Sequence, residues 1–317
     1  LLFIFSFITR QLALFKNPDA GHDGPFYYHF VVLLIGCFPA SLFMISALRH
    51  DVSETFETRN MKNWMIILLI TVLFIFSVVR TKIIHYSSLA YFPITFLAAY
   101  ALFKMIYLSK NKINPWLTSS LVLFAALVSA ALISIPYLGR HLQLLEPIMT
   151  DDFAKEALHA QVNWAGWEIA IGILYFILFM IGIFLFTRKE VRIFGAIVIF
   201  IAGAICLQSS LFVFAPKIEA YSQKAAIDFF VSKQNEDCYT DVWGYHSYAP
   251  YFYGKRKPGL NMGKPYDANI LYNKTVDKPV YIVTKTHNSD IPDFIKTHNF
   301  KIIEEKNGFV FLKREKD

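Results

Sequence analysis

Residues 164–214 read WAGWEIAIGILYFILFMIGIFLFTRKEVRIFGAIVIFIAGAICLQSSLFVF, which is two long apolar runs separated by a short basic turn. An α-helix rises about 1.5 Å per residue, so roughly 20 apolar residues cross the ~30 Å hydrocarbon core of a bilayer. The runs over about 164–186 and 193–214 each meet that length. This stretch therefore predicts two consecutive membrane-spanning helices.

The same criterion predicts further spans on the N-terminal side, at about 29–48, 64–79, 86–108 and 116–138. Pro39 lies inside the first of these and is expected to kink it, because proline removes a helix hydrogen bond. The chain opens without Met on the apolar stub 1–8, which we interpret as the end of a span cut midway. We therefore expect a transmembrane region over 1–214 that is the C-terminal part of a longer protein.

Composition and charge agree with a membrane protein. The 317 residues are 55% hydrophobic and only 17% charged, with a mean hydropathy of +0.41. The net charge is +7, but no basic stripe interleaved with aromatic residues occurs, which argues against a nucleic-acid partner. Basic loops favour the cytoplasmic side, and one topology places the loops 49–63, 109–115 and 187–192 all inside. That topology predicts an outer location for the tail.

The tail, residues 215–317, is predicted to form one small α/β domain outside the membrane. Its predicted elements are a helix over 217–234, strands over 238–242 and 279–284, a helix over 290–298, and strands over 300–305 and 309–313. Asn307-Gly308 favours a two-residue hairpin turn between the last two strands. Ser289 is expected to cap the second helix.

No motif of a soluble enzyme occurs in the sequence. The P-loop, GxGxxG, GxSxG and HExxH patterns are all absent. Cys37, Cys206 and Cys238 form no disulfide framework, and no cysteine or histidine spacing indicates a metal site. We therefore name no metal and no cofactor, and a requirement for a divalent cation is left open.

Two polar clusters lie at the predicted outer surface. The loop 18–30, PDAGHDGPFYYHF, is either a structured loop with interfacial aromatic residues or a ligand site. The short connector 80–86 contains Arg80, Lys82 and Tyr86. Cations are disfavoured on the outer side, so the connector predicts either a lipid-phosphate site or ordinary contact with lipid headgroups.

A third cluster is the aromatic stretch 243–256, WGYHSYAPYFYGKR, in the tail. Packing against a core or the membrane surface is the ordinary explanation for such a stretch. Stacking of its rings on sugar rings is the alternative.

Two of these segments resemble a known family. Residues 19–39, DAGHDGPFYYHFVVLLIGCFP, resemble the loop and following span of bacterial membrane glycosyltransferases of the protein mannosyltransferase class, which includes the aminoarabinose transferase acting on lipid A. Residues 80–93, RTKIIHYSSLAYFP, resemble the basic connector of that family. The resemblance implies the C-terminal part of an all-α, polytopic GT-C fold with a small extracytoplasmic α/β domain.

The resemblance also implies an activity. Such enzymes, in the inner (plasma) membrane, move a sugar from a polyprenyl-phosphate donor to a lipid or protein acceptor at the outer face. Carried over to this sequence, Arg80, Lys82 and Tyr86 bind the lipid phosphate, and His22 and Tyr27 pack at the site. Fixed cations stabilise the charge that the leaving phosphate gains. The family's catalytic acid lies in an earlier outer loop that this sequence lacks, so we name no catalytic residue and expect the chain alone to be inactive.

Two other functions fit parts of the sequence. Kinked spans favour half of a transporter or flippase, but few ionisable residues lie within the spans, and transport pathways usually bury some. A membrane-anchored module whose tail binds a ligand leaves Arg80 and Lys82 unexplained. Membrane lipids are expected partners in every case.

Overall fold

The computed structural model describes residues 4–6, 9, 23–49, 54–108, 113–255, 268–273 and 275–316, with only the backbone of 268–270. The chain divides into two compact units. Unit 1 comprises Leu1–Leu132 and Ala170–Leu207, and unit 2 comprises Ile133–Ile169 and Gln208–Asp317.

Helices dominate the described part of the chain. In order they are α1 (Tyr28–Gly36), α2 (Ala40–Ala47), α3 (Phe56–Val78), α4 (Tyr91–Phe103), α5 (Pro115–Arg140), α6 (Asp152–Ala157), α7 (Ile169–Thr187), α8 (Arg192–Ala220), α9 (Lys224–Ser232), α10 (Ala249–Phe252), α11 (Ala268–Asn273) and α12 (Ile291–His298). A 3₁₀ segment, Ile84–Ala90, precedes α4, and a π-helical turn, Lys104–Leu108, follows it. Among the described residues, five segments are long and apolar enough to cross a membrane: Phe56–Val78, Ile84–Leu108, Pro115–Arg140, Ile169–Thr187 and Lys189–Ala220.

The predicted span over 29–48 is not one kinked helix. It consists of α1 and α2, whose axes differ by 108° across the break at Cys37–Pro39. Pro39 has no N–H to continue the α1 hydrogen-bond ladder. The Ser41 hydroxyl instead donates to the Leu34 carbonyl at 2.7 Å and satisfies one group at the end of α1. The bent pair adds a sixth crossing if it is counted as one span.

The N-terminal end of α3 lies well before residue 64, where the sequence placed the start of this span. Thr55 caps the helix through its hydroxyl. The Glu54 carboxylate, just ahead of it, accepts hydrogen bonds from Lys62 Nζ at 2.9 Å, Tyr100 OH at 2.8 Å and Lys104 Nζ at 3.4 Å. Burial alone raises the pKa of Glu54, but these hydrogen bonds bring it below its ordinary value.

Unit 2 contains a four-stranded mixed sheet in the order β1-β2-β4-β3. The strands are β1 (Tyr239–Val242), β2 (Val280–Lys285), β3 (Lys301–Lys306) and β4 (Phe309–Arg314). β1 and β2 are parallel, and the other neighbouring pairs are antiparallel. Asn307 and Gly308 have φ values of 50° and 82°, as a two-residue hairpin turn with positive φ requires. The predicted hairpin is therefore confirmed.

Two predictions for the helices of unit 2 are wrong. The predicted helix over 217–234 is interrupted by a turn at 221–223, which separates α8 from α9. The N-cap of α12 is Asp290, with no side-chain capping bond, and the Ser289 hydroxyl donates to the Asp290 carboxylate at 3.1 Å. Asn288 Oδ1 accepts from the Asp290 N–H at 3.2 Å, so a local turn takes the place of the expected Ser289 cap.

The segment between α5 and α7 belongs to unit 2 rather than standing as a separate outer loop. Glu168 anchors it. Its carboxylate accepts from Gly166 N at 2.6 Å, Ala165 N at 3.2 Å and Lys217 Nζ at 2.8 Å. Burial opposes ionisation, but these bonds outweigh it and lower the pKa of Glu168 to about 2.

Candidate functional site

Two segments that are distant in the sequence meet in unit 1. Asp23, in the loop before α1, forms an isolated antiparallel bridge with Thr81, in the connector after α3. Gly24 packs so closely that a Cβ built on it would lie 2.9 Å from Lys82 Cγ. The structure therefore joins the polar loop to the basic connector, which are the two segments that carry the family resemblance.

Lys82 is buried at the C-terminal end of α3, with 5% of its surface exposed. Its ammonium donates to the carbonyls of Phe76, Ser77 and Val79 at 2.9, 2.8 and 2.6 Å. An ammonium has three donors, so all of them are occupied by backbone oxygens that the helix leaves unpaired. Burial lowers the pKa of Lys82, and the nearby Asp23 carboxylate partly offsets that effect. Lys82 thus fixes the connector to α3 and brings a positive charge to this end of the helix.

Arg80 has the opposite environment. It is exposed, and in the described part of the chain its guanidinium has neither a hydrogen bond nor an ion pair. Its five N–H donors are therefore open to an external acceptor such as a phosphate, which a guanidinium binds through two parallel hydrogen bonds.

Tyr86, the last residue of the connector, lies half-buried in the 3₁₀ segment Ile84–Ala90. Its ring packs 5.9 Å from the ring of Phe76 and 5.2 Å from the imidazole of the exposed His85. Tyr86 and Arg80 therefore both belong to the short segment that is fixed by Lys82.

Of the two residues expected to pack at the site, Tyr27 lies among the described residues. Tyr27 lies directly before α1 and is 62% exposed. His22 falls outside the described residues.

Sequence reasoning did not single out His29, which the structure places beside the connector. Its side chain is fully buried, and its Nδ1 lies 3.0 Å from Ser87 Oγ. Its Nε2 has no hydrogen-bond partner among the described residues. An ionisable side chain just inside an apolar span was the signal in the sequence, because such residues are costly in a membrane and are usually functional.

A metal centre is not visible in the described part of the chain. No group of three or more His, Cys, Asp or Glu side chains there is arranged to hold a metal ion. The candidate site is therefore an exposed guanidinium, on a connector that a buried lysine fixes in place. That arrangement suits the binding of an anion.

Comparisons with known proteins place this geometry in context. No family model matches the chain. Over 130 residues the chain is 28% identical to the undecaprenyl phosphate-alpha-4-amino-4-deoxy-L-arabinose arabinosyl transferase of Wigglesworthia glossinidia brevipalpis. That match covers 39% of this chain and 23% of the relative.

Two crystal structures of ArnT from Cupriavidus metallidurans are similar to the chain. The structure bound to undecaprenyl phosphate gives a TM-score of 0.57 at 14% identity and covers 97% of this chain and 55% of that one. The apo structure gives 0.55 at 14% identity, with 94% and 53% covered. The chain thus spans about half the length of these structures. The expected resemblance is confirmed, as is the fold class: a polytopic helical protein with a small α/β unit.

Proposed function

We propose that this chain supplies the donor-phosphate site of a membrane glycosyltransferase that uses a polyprenyl-phosphate-linked sugar. The observation that carries the proposal is the bridge between Asp23 and Thr81, which brings the polar loop onto the basic connector. Its chemistry is the exposed guanidinium of Arg80, which has no partner in the described part of the chain. The ArnT structure bound to undecaprenyl phosphate, whose fold this chain shares, supports the same ligand class.

The residues of the site have different roles in binding the phosphate. Arg80 forms a two-pronged contact with the phosphate, and the Tyr86 hydroxyl donates a further hydrogen bond to it. Lys82 is a positioning residue, because its three donors are occupied by the end of α3. When the bond between the sugar and the phosphate oxygen breaks, the phosphate gains negative charge, and Arg80 stabilises that charge.

We include the orientation of the protein in the membrane in the same proposal. The enzyme lies in the inner (plasma) membrane with the connector and unit 2 on the outer side, and the sugar, a pentose or hexose, passes there to a lipid or protein acceptor. Alkaline phosphatase is active only outside the cytoplasm. We expect activity for a fusion after Asp317 and none for a fusion after Phe186. The reverse pattern would overturn this topology.

Lipid binding by the purified chain tests the site without requiring turnover. In native mass spectrometry from detergent micelles, the chain should bind undecaprenyl phosphate in preference to undecaprenol, which has the same tail and no phosphate. A charge-assisted hydrogen bond contributes about 1.5–3 kcal/mol. Arg80→Ala should therefore weaken undecaprenyl phosphate binding at least about tenfold. Arg80→Lys should recover only part of the loss, because lysine lacks the fork.

The matched control is Arg140→Ala, which removes the same side chain from the end of α5. It should leave lipid binding near the wild-type value. Equal, small effects at positions 80 and 140, or no preference for the phosphate-bearing lipid, would refute the site and favour ordinary headgroup contact.

A further inference from the structure

The carboxyl ends of β1 and β2 lie at the same edge of the unit 2 sheet, because these strands are parallel. A cleft of about 550 Å³ lies at this edge, lined by the loops after both strands and by the start of α6. Open α/β sheets bind ligands just outside the carboxyl ends of their strands. The site proposed above lies in unit 1 and leaves this cleft without a function.

Aromatic rings form part of the cleft wall. Trp243, directly after β1, is half-buried and stacks on Phe294 with 4.0 Å between ring centroids. Lys285, the last residue of β2, holds its ammonium 4.3 Å from the centroid of Phe153 and 5.8 Å from that of Tyr245. In the described part of the chain, Lys285 has no salt-bridge partner.

The polar groups of the cleft include both donors and acceptors. Asn288 uses its carbonyl oxygen to accept from the Asp290 N–H, which leaves its amide N–H groups as donors. Asp151 accepts from the Phe153 N–H through one oxygen and keeps the other as an acceptor. Gly244 lies beside the Asn288 amide and has a φ of 77°, a backbone conformation that favours glycine.

The charges of the cleft narrow the class of ligand. Asp151 and Asp290 line it together with Lys285 and His287, so ionisable groups of both kinds face a ligand and neither an anion nor a cation is matched by charge alone. A neutral molecule with many hydroxyls can bond to side chains of either charge, because each hydroxyl both donates and accepts hydrogen bonds. Aromatic faces suit the apolar C–H face of such a ring.

We propose that this cleft binds a sugar ring. The hydroxyls of the ring form hydrogen bonds with Asn288, Asp151 and Lys285. The C–H face of the ring packs on the aromatic side chains that line the cleft, which include Trp243. A few convergent polar groups beside aromatic rings are the usual composition of a small-molecule site. The proposal does not depend on the donor-phosphate site, so either one can fail without the other.

The test is sugar binding by the full chain in lauryl dimethylamine oxide, a detergent without a sugar head group. Saturation-transfer NMR with the methyl glycosides of glucose, mannose and arabinose, and with methyl phosphate, reports which probe contacts the protein. We expect saturable binding of at least one glycoside. Lys285→Met, which keeps the aliphatic stem, and Asn288→Asp, which keeps the turn acceptor but removes the amide donors, should each weaken it at least about fivefold.

The control is Lys278→Met, which removes the same group at the opposite end of β2, where Lys278 pairs with Asp237 at 2.5 Å. It should leave glycoside binding unchanged, and thermal unfolding of each variant confirms that unit 2 is folded. The proposal is overturned if wild type binds no glycoside saturably, if Lys278→Met weakens binding as much as Lys285→Met, or if methyl phosphate binds better than every glycoside.

Discussion

The two ends of helix α3 each bury a lysine, but the lysines have different partners. At the N-terminal end, Lys62 is 4% exposed and forms a 2.8 Å salt bridge with Glu54. At the C-terminal end, Lys82 is 5% exposed and donates only to backbone carbonyls among the described residues. At one end the lysine is bonded directly to a carboxylate, and at the other it is bonded to the helix C-terminus, with the exposed Arg80 beside it and Asp23 nearby.

The difference shows how a membrane protein can keep charged side chains that stabilise the fold apart from those that bind a ligand. A buried cation paired with a carboxylate is neutralised and unavailable to a ligand. At the other end, Lys82 is bonded to helix carbonyls and lies near the Asp23 carboxylate, and the group exposed to a ligand is the guanidinium of Arg80. The C-terminal end of α3 is therefore suited to an external anion, and the N-terminal end is not.

Glu54→Gln should have the largest effect on stability. It removes the negative charge on which Lys62 and Lys104 converge, and Lys62 is buried there. Breaking a buried pair in this way costs about 3 kcal/mol. Denaturant unfolding in mixed micelles measures the loss. Glu57→Gln, the same change at an exposed position one turn away, should leave stability near the wild-type value, and equal losses would contradict a stabilising role for the buried Glu54 carboxylate.

Lys82→Met should have the second largest effect on stability. The substitution keeps the buried stem but leaves the carbonyls of Phe76, Ser77 and Val79 without their donor. We expect a loss of about 2 kcal/mol in the free energy of unfolding. Lys189→Met, in the exposed basic turn before α8, is the control and should have little effect. A stable Lys82→Met variant would mean that the connector does not need this lysine as an anchor.

Acid should weaken the N-terminal end of α3 selectively. The folded pKa of Glu54 lies below its ordinary value of 4.5, so its contribution is fully present above that value and is lost as the pH falls toward the folded pKa. The stability difference between wild type and Glu54→Gln should therefore shrink below about pH 4.5, whereas the deficit of Lys82→Met should persist there. A difference that stays constant with pH would exclude an ionised Glu54.

Ser87→Ala should have the smallest effect. It removes the hydroxyl that pairs with His29 Nδ1 at 3.0 Å, where α1 meets the segment after the connector. The same hydroxyl also donates to the Ile84 carbonyl at 3.3 Å, and we expect the loss of these contacts to cost about 1 kcal/mol. Ser88→Ala, at the exposed neighbouring position, should cost less. If the two variants unfold alike, the contact between His29 and Ser87 is not a stabilising one.

Local features of the fold were predictable from the sequence. Apolar runs longer than a bilayer core indicated the spans, and Asn307-Gly308 indicated the hairpin. The sharp break at Cys37–Pro39 was not predictable, because proline indicates an interruption but not the 108° angle that packing sets. Sequence also indicated Arg80 and Lys82 together as lipid-phosphate ligands. Their separation into an open group and a buried anchor depends on where the last carbonyls of α3 point, which a sequence pattern does not contain.

Photo-crosslinking tests most directly whether the C-terminal end of α3 receives the lipid phosphate. A polyprenyl phosphate with a diazirine near its head group would be bound to the full chain, irradiated, and mapped by peptide mass spectrometry. We expect adducts on the connector and the following 3₁₀ segment, residues 80–90, and their loss in Arg80→Ala while the fold is retained. Adducts concentrated at residues 54–62, or adducts on the connector that persist in Arg80→Ala, would contradict the account.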